Sequence, residues 1–150
     1  MERPDERAVG VIGLGIIGTR VAAGLRAAGL DTYVWSRSPK AVPGFLGSAA
    51  EVVRRAGLVQ VFVSNDEAVK EVLAGMAGEL TPGHLVMVHA TVAPRTMKEG
   101  ALLVRSRGGG FLEAPFTGSR EAAAAGKLSY YVCGREADLE AGREVLGVSG

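Results

Sequence analysis

The sequence has a single cysteine, Cys133, and only two histidines, His84 and His89. One thiol excludes an internal disulfide framework and a cysteine-based zinc site. Two imidazoles are too few for most metal clusters, so no metal is expected. Charge of either sign is not in excess: 17 basic residues face 16 acidic ones, for a net charge of +1. That balance gives no electrostatic case for nucleic acid or for an anionic membrane surface. No apolar run is long enough to span a bilayer. The opening MERPDERA is charged and leads straight into a strand-like run, unlike a signal peptide. A soluble cytoplasmic protein is expected. Glycine, by contrast, is abundant at 22 residues, and its placement carries most of the information.

With 150 residues, 47% of them hydrophobic, the chain suits one domain with a real core. Two kinds of segment alternate along it. Short apolar runs at residues 8–12, 32–35, 58–63, 85–88, 111–114 and 128–132 read as strands. The third, LVQVFV, is apolar nearly throughout, as a strand covered on both faces should be. Between them lie helical patterns at 18–28, 49–56, 66–76, from Pro94 onward, and 137–146. Ile17, Val21 and Leu25 make one stripe, and Val69, Val72, Leu73 and Met76 another. Gly29 fits a helix C-cap, Gly57 closes the second helix, and the glycines at 108–110 end the fourth. Ser64 with Glu67 fits a capping box before the third. This alternation predicts an α/β fold of the Rossmann type: a doubly wound, mostly parallel sheet with helices on both faces.

The first strand and helix are joined by GLGIIG, a G-x-G-x-x-G turn of Gly13, Gly15 and Gly18. Alone the pattern is weak; between a strand and a helix it is a dinucleotide-binding signature. Gly13 would allow the tight turn, Gly15 would let a pyrophosphate approach the backbone, and Gly18 would let the helix pack on the strand. The helix N-terminus would then offer free N–H groups to the phosphates. The tip of the second strand chooses the cofactor. An NAD site carries Asp or Glu there to hold the ribose hydroxyls. Here residues 35–38 read W-S-R-S, and the nearest acid, Asp31, precedes the strand. Arg37 can pair with a 2′-phosphate, Ser36 and Ser38 can donate to it, and Lys40 adds charge. The expected cofactor is NADP(H), with NAD less favoured.

GLGIIG, the VWSRS strand end, VSNDEAVKEVL, HATVAPRT and FLEAPFTGSREAAAAGKLSYYVCG follow one another in an order and spacing that resembles the β-hydroxyacid dehydrogenase family. That family includes 3-hydroxyisobutyrate dehydrogenase, tartronate semialdehyde reductase and glyoxylate/succinic semialdehyde reductase, and is related to 6-phosphogluconate dehydrogenase. The resemblance implies that Leu14, Ile16 and Ile17 lie near the diphosphate and nicotinamide, and that Ser36, Arg37 and Ser38 contact the adenosine ribose. It places Ser64 and Asn65 beside the cofactor and Thr91 near the nicotinamide ribose. It gives Thr117, Gly118 and Ser119 the carboxylate of a small-molecule substrate. A hydroxyl–Gly–hydroxyl turn opening a helix can hold an anion on its own physics, although Ser119 or Thr117 could equally serve only as a cap.

Some residues depart from the family pattern. Phe116 stands where a smaller aliphatic is usual, Thr117 where Ser is usual, and Val88-His89-Ala90-Thr91 replaces an acid and a serine. Ser119 resembles the glyoxylate/succinic semialdehyde reductase branch. His89 is expected to be structural rather than an acid–base group, His84 to be solvated in its TPGH turn, and Cys133 to be packed and inert. Lys127, in a turn after Gly126, is not the family's catalytic lysine. The resemblance implies that this lysine, and the family's helical domain that closes the site and dimerises, lie downstream of the segment matched here. The chain is therefore expected to supply no catalytic residue itself, and an intact relative is expected to be a homo-oligomer. The alternatives are an imine reductase-like domain, or a module that binds NADP without turnover.

Overall fold

The computed structural model describes residues 5–150. Eight strands and six helices follow in order: β1 (Asp5–Ile12), α1 (Ile16–Ala27), β2 (Thr32–Trp35), α2 (Ala49–Arg55), β3 (Ala56–Val61), α3 (Asp66–Met76), β4 (Leu85–Val88), α4 (Pro94–Ser106), β5 (Gly110–Glu113), β6 (Phe116–Thr117), α5 (Arg120–Ala124), β7 (Ser129–Tyr130), β8 (Cys133–Gly134) and α6 (Glu136–Ser149). A 3₁₀ turn, Ala77–Glu79, follows α3.

Six strands make one sheet in the order β2-β1-β3-β4-β5-β8. The first five are parallel, and β8 returns antiparallel to β5. Parallel neighbours need crossovers, and the helices supply them on both faces. Alternation along each strand then feeds two cores. Val86, Val88, Val59, Val61 and Phe111 meet α2, α3 and α4 through Val52, Val53, Leu73, Met76 and Val104. Val9, Val11, Leu85, Met87 and Leu112 meet α1, α5 and α6 through Val21, Leu25, Ala123 and Val145. This is the doubly wound Rossmann-type α/β fold read from the sequence. Among the described residues, no helix is long and apolar enough to cross a membrane.

Five readings need correction. First, Gly57 does not stop α2. Ala56 is at once the C-cap of α2, with φ −125° and ψ 129°, and the first residue of β3, so helix and strand join without a loop. Second, residues 128–132 are not one strand. β5 cannot extend through Pro115, which has no N–H for the ladder. The chain leaves the sheet there as β6, pairs with β7 in a separate ribbon, and re-enters as β8.

Third, Cys133 is exposed rather than packed. It lies on the two-residue edge strand, opposite Glu113, and among the described residues no strand pairs beyond it. Fourth, His84 is buried rather than solvated. Its Nδ1 accepts from Thr81 N–H at 3.0 Å, so Nε2 carries the proton and donates to Val53 O at 2.6 Å. The cap of α3 also differs: Asn65 Oδ1, not Ser64, accepts from Ala68 N–H at 2.9 Å.

Candidate functional site

A cleft of about 900 Å³ opens at the carboxyl ends of β1 to β4. This is where open parallel sheets hold ligands, because the loops there diverge to opposite faces. Three of its walls come from loops: the 12–18 turn, the 35–40 loop after β2, and Phe62, Val63 and Ser64 after β3. The fourth is a face of α3, with Ala68, Glu71, Val72 and Gly75 at helical spacing. The adjoining face of α3, through Val69, Leu73 and Met76, is buried in the core with Val72 packed at its edge, which fixes the helix's orientation. Ser48, Ala49 and Ala50 at the start of α2, with Trp35, His89 and Phe116, complete the lining.

The three glycines of the turn are needed for different reasons. Gly13 has φ +98°, and a Cβ there would collide with the carbonyl of Phe62. A Cβ on Gly18 would collide with the carbonyl of Gly13. Both are demanded by the protein's own packing. Gly15 is not: its φ of −77° suits any residue, and a Cβ there would meet nothing within 4 Å. Its surroundings are the open cleft.

Gly15 is also the N-cap of α1 and offers no side-chain cap, and the first turn carries no acidic residue. The earliest helical bond is Thr19 N–H to Gly15 O at 3.2 Å. The N–H groups before it have no acceptor within the helix, and they sit at the positive end of its dipole in the turn that lines the cleft. In α2, α3 and α5 the first turns are closed by Ser48, Asn65 and Ser119, whereas α4 and α6, like α1, have no side-chain cap from the N-cap residue. A space above Gly15 beside uncapped donors fits a pyrophosphate.

Beyond the turn, Ser36 is buried and donates to Ser38 O at 2.6 Å, which shapes the bend after β2. Arg37 is exposed and reaches across the mouth of the cleft to Glu71 on α3, Nη2 to Oε2 3.1 Å. Lys40 stands beside it.

The cleft floor is aromatic. Phe62 stacks on His89 with ring centroids 4.5 Å apart, Phe116 meets Phe62 edge-on, and Tyr130 lies 4.8 Å from His89 on the other side. His89 Nδ1–H donates to Ala114 O at 2.7 Å, because a carbonyl can only accept. Nε2 is then bare and needs a donor. The atom 3.1 Å from Nε2 is Gln60 Oε1, which can only accept, while Gln60 Nε2 is buried without a partner. Turning the amide about satisfies both groups, with the Gln60 nitrogen donating to the ring. Burial pushes the imidazole down to about 4, against an ordinary 6.5. His89 is thus neutral with both nitrogens engaged, a structural residue as expected.

Of the residues singled out in the sequence, Gly13, Leu14, Gly15, Ile17, Gly18, Ser36, Arg37, Ser38 and Ser64 line the cleft. Ile16 projects outward, 63% exposed, and Thr91 is exposed outside the lining. Asn65 is occupied with its cap. Thr117, Gly118 and Ser119 lie past Phe116, on the ribbon and the start of α5. Ser119 Oγ accepts from Ala122 N–H at 3.1 Å, so capping is one of its roles. Thr117 Oγ1 is 3.5 Å from the hydroxyl of Tyr131. The sequence reading missed Trp35, Phe62 and Glu71. The available signal for Glu71 was its helical spacing with Ala68 and Gly75, off the stripe of Val69, Leu73 and Met76.

Comparison with known proteins adds three relatives. The chain is 33% identical to the mouse cytokine-like nuclear factor N-PAC across 87% of this chain and 25% of that protein. The solved structure of Mycobacterium tuberculosis 3-hydroxyisobutyrate dehydrogenase with L-serine superposes with a TM-score of 0.90 at 27% identity, covering 96% of this chain and 52% of that one. Psf3, solved in complex with NADP+ and 2-OPP, gives a TM-score of 0.89 at 28% identity, covering 94% and 54%. The chain thus spans between a quarter and about half the length of these relatives. The family defined by the NAD-binding domain of 6-phosphogluconate dehydrogenase matches residues 8–150. With a fold, a glycine turn and a cleft that agree with that match, the chain belongs to the β-hydroxyacid dehydrogenase family and is its NAD(P)-binding domain.

Proposed function

We propose that this domain binds NADP(H) in preference to NAD(H), for hydride transfer to or from a small 3-hydroxy acid, semialdehyde or keto acid. The observation that carries the cofactor reading is Gly15. Nothing in the protein requires a glycine there, while a ligand approaching the backbone would. The choice of NADP(H) rests on Arg37 and Lys40 at the tip of β2, where a carboxylate would mark NAD. A 2′-phosphate would exchange hydration for charge-assisted hydrogen bonds from the guanidinium.

Gly13, Leu14, Gly15, Ile17 and Gly18 would hold the diphosphate, Ser36, Arg37 and Ser38 the adenosine ribose, and Ser64 the neighbouring stretch. Asn65, Ile16 and Thr91 would join them only at the rim. When bound, the nicotinamide supplies or accepts the hydride. Phe62, held by His89, gives the cleft an apolar floor that excludes water. Thr117, Gly118 and Ser119 would take the substrate carboxylate. Ser119 uses its oxygen lone pair on Ala122 N–H, which leaves its hydroxyl proton free to donate. His89 has no free nitrogen, and Lys40 lies at the adenosine end, so the reading leaves the reaction's proton to a group outside the described residues.

Calorimetric titration with NADPH and, separately, NADH tests the proposal. Binding with at least a tenfold NADPH preference is expected. Binding of neither would end the cofactor reading, and equal affinities would end the NADP assignment.

A further inference from the structure

Among the described residues, the Arg37–Glu71 pair is the one ionic contact that joins the 35–40 loop to α3 across the mouth of the cleft. Both side chains are largely exposed, at 85% and 64%, so the pair contributes little to folding. Its position is what matters. Arg37 is the group proposed above to receive the 2′-phosphate, and Glu71 already occupies it.

The geometry points to Glu71 as a specificity-determining residue that competes with the 2′-phosphate for Arg37, tempering the preference for NADP(H) over NAD(H). This rests on the NADP reading. Two anions, the Glu71 carboxylate and the phosphate, would claim one guanidinium. A nucleotide with a 2′-phosphate must draw Arg37 from Glu71 or share it, with like charges brought close. A nucleotide with a 2′-hydroxyl carries no such charge and leaves the pair intact. No other anionic side chain lines this end: among the described residues, Glu71 is the only acidic residue of the cleft, and Lys40 is its only lysine. Glu71 lies on the solvent-facing side of α3, away from the core stripe of Val69, Leu73 and Met76. Fold maintenance therefore does not account for an acid at that place.

The test is a titration of the protein and of Glu71→Gln, Arg37→Gln and the double variant with NADPH and NADH, at 20 mM and 300 mM salt. Glu71→Gln should tighten NADPH about three- to tenfold at low salt, with a smaller gain at high salt, and leave NADH within about twofold. In the Arg37→Gln background the same change should move NADPH by less than about twofold, because there is no guanidinium to compete for. An unchanged or weakened NADPH affinity in Glu71→Gln overturns the inference, as does a gain that persists undiminished without Arg37. The two readings fail separately. If Arg37→Gln costs nothing for NADPH, the NADP assignment falls and takes this role with it. If Arg37→Gln weakens NADPH but Glu71→Gln gains nothing, only the competition falls. Circular dichroism of each variant should match the parent, since neither side chain is packed.

Discussion

The α-carbon of Gly13 faces the carbonyl of Phe62 so closely that no side chain fits between them. Phe62 is itself anchored to β1 by its N–H, which donates to Ile12 O at 2.7 Å. The glycine turn is therefore clamped by the strand beside it, and its shape does not depend on a ligand. This separates two glycines that look alike in sequence. Gly13→Ala should cost about 3 kcal/mol or more, from the collision and from φ +98°. Gly15→Ala should cost less than about 1 kcal/mol, the usual difference between Gly and Ala at an N-cap, yet weaken dinucleotide binding at least about tenfold. Urea unfolding and titration of both variants check this. Undiminished NADPH binding by Gly15→Ala would remove the main support for the cofactor reading.

Arg37→Asp places the acid characteristic of NAD sites at the tip of β2. NADPH should weaken by about 10- to 100-fold, the range of a lost charge-assisted hydrogen bond, while NADH changes far less. Unfolding should shift little, because Arg37 contributes only a surface pair. Equal losses for both nucleotides would mean that Arg37 does not read the 2′ position.

His89 makes stability depend on pH. Folded, it titrates at about 4; unfolded, at its ordinary 6.5. Between those values the unfolded chain binds a proton that the folded one refuses. Stability is thus full above about pH 6.5 and falls as the pH drops toward 4, by at most about 1.4 kcal/mol per unit. Urea midpoints at pH 7.5 and 5 should show the decline, and His89→Gln, whatever its baseline, should show a shallower one. The same slope in the variant would place the effect elsewhere.

Cys133, exposed on an edge strand, should react with a thiol reagent in the folded protein without denaturant. Cys133→Ser should leave stability within about 0.5 kcal/mol. A thiol that reacts only on unfolding would contradict the exposure.

The strands were legible where the chain repeats itself: TYVW at β2 and LVMV at β4 need no knowledge of their neighbours. What escaped depends on contacts distant in sequence. The TPGH turn announces a bend, but not that His84 reaches Val53, 31 residues away. Likewise LSYYV reads as one strand, and only the fold shows Tyr130 pairing with Phe116 while the sheet resumes beyond it, at Cys133 opposite Glu113. In the site, the glycine spacing identified the turn, and the missing acid drew attention to Arg37. Glu71 escaped because it faces the cleft from another element, and nothing near it in sequence mentions β2.

The protein's single tryptophan is Trp35, and it lines the cleft. All indole emission therefore comes from one wall of the candidate site. Whatever settles beside the β2 loop changes the polarity around that one ring, and a reduced nicotinamide dinucleotide absorbs where indole emits. The chain carries its own optical reporter, so occupancy can be followed in dilute solution with no dye attached and no background from a second tryptophan.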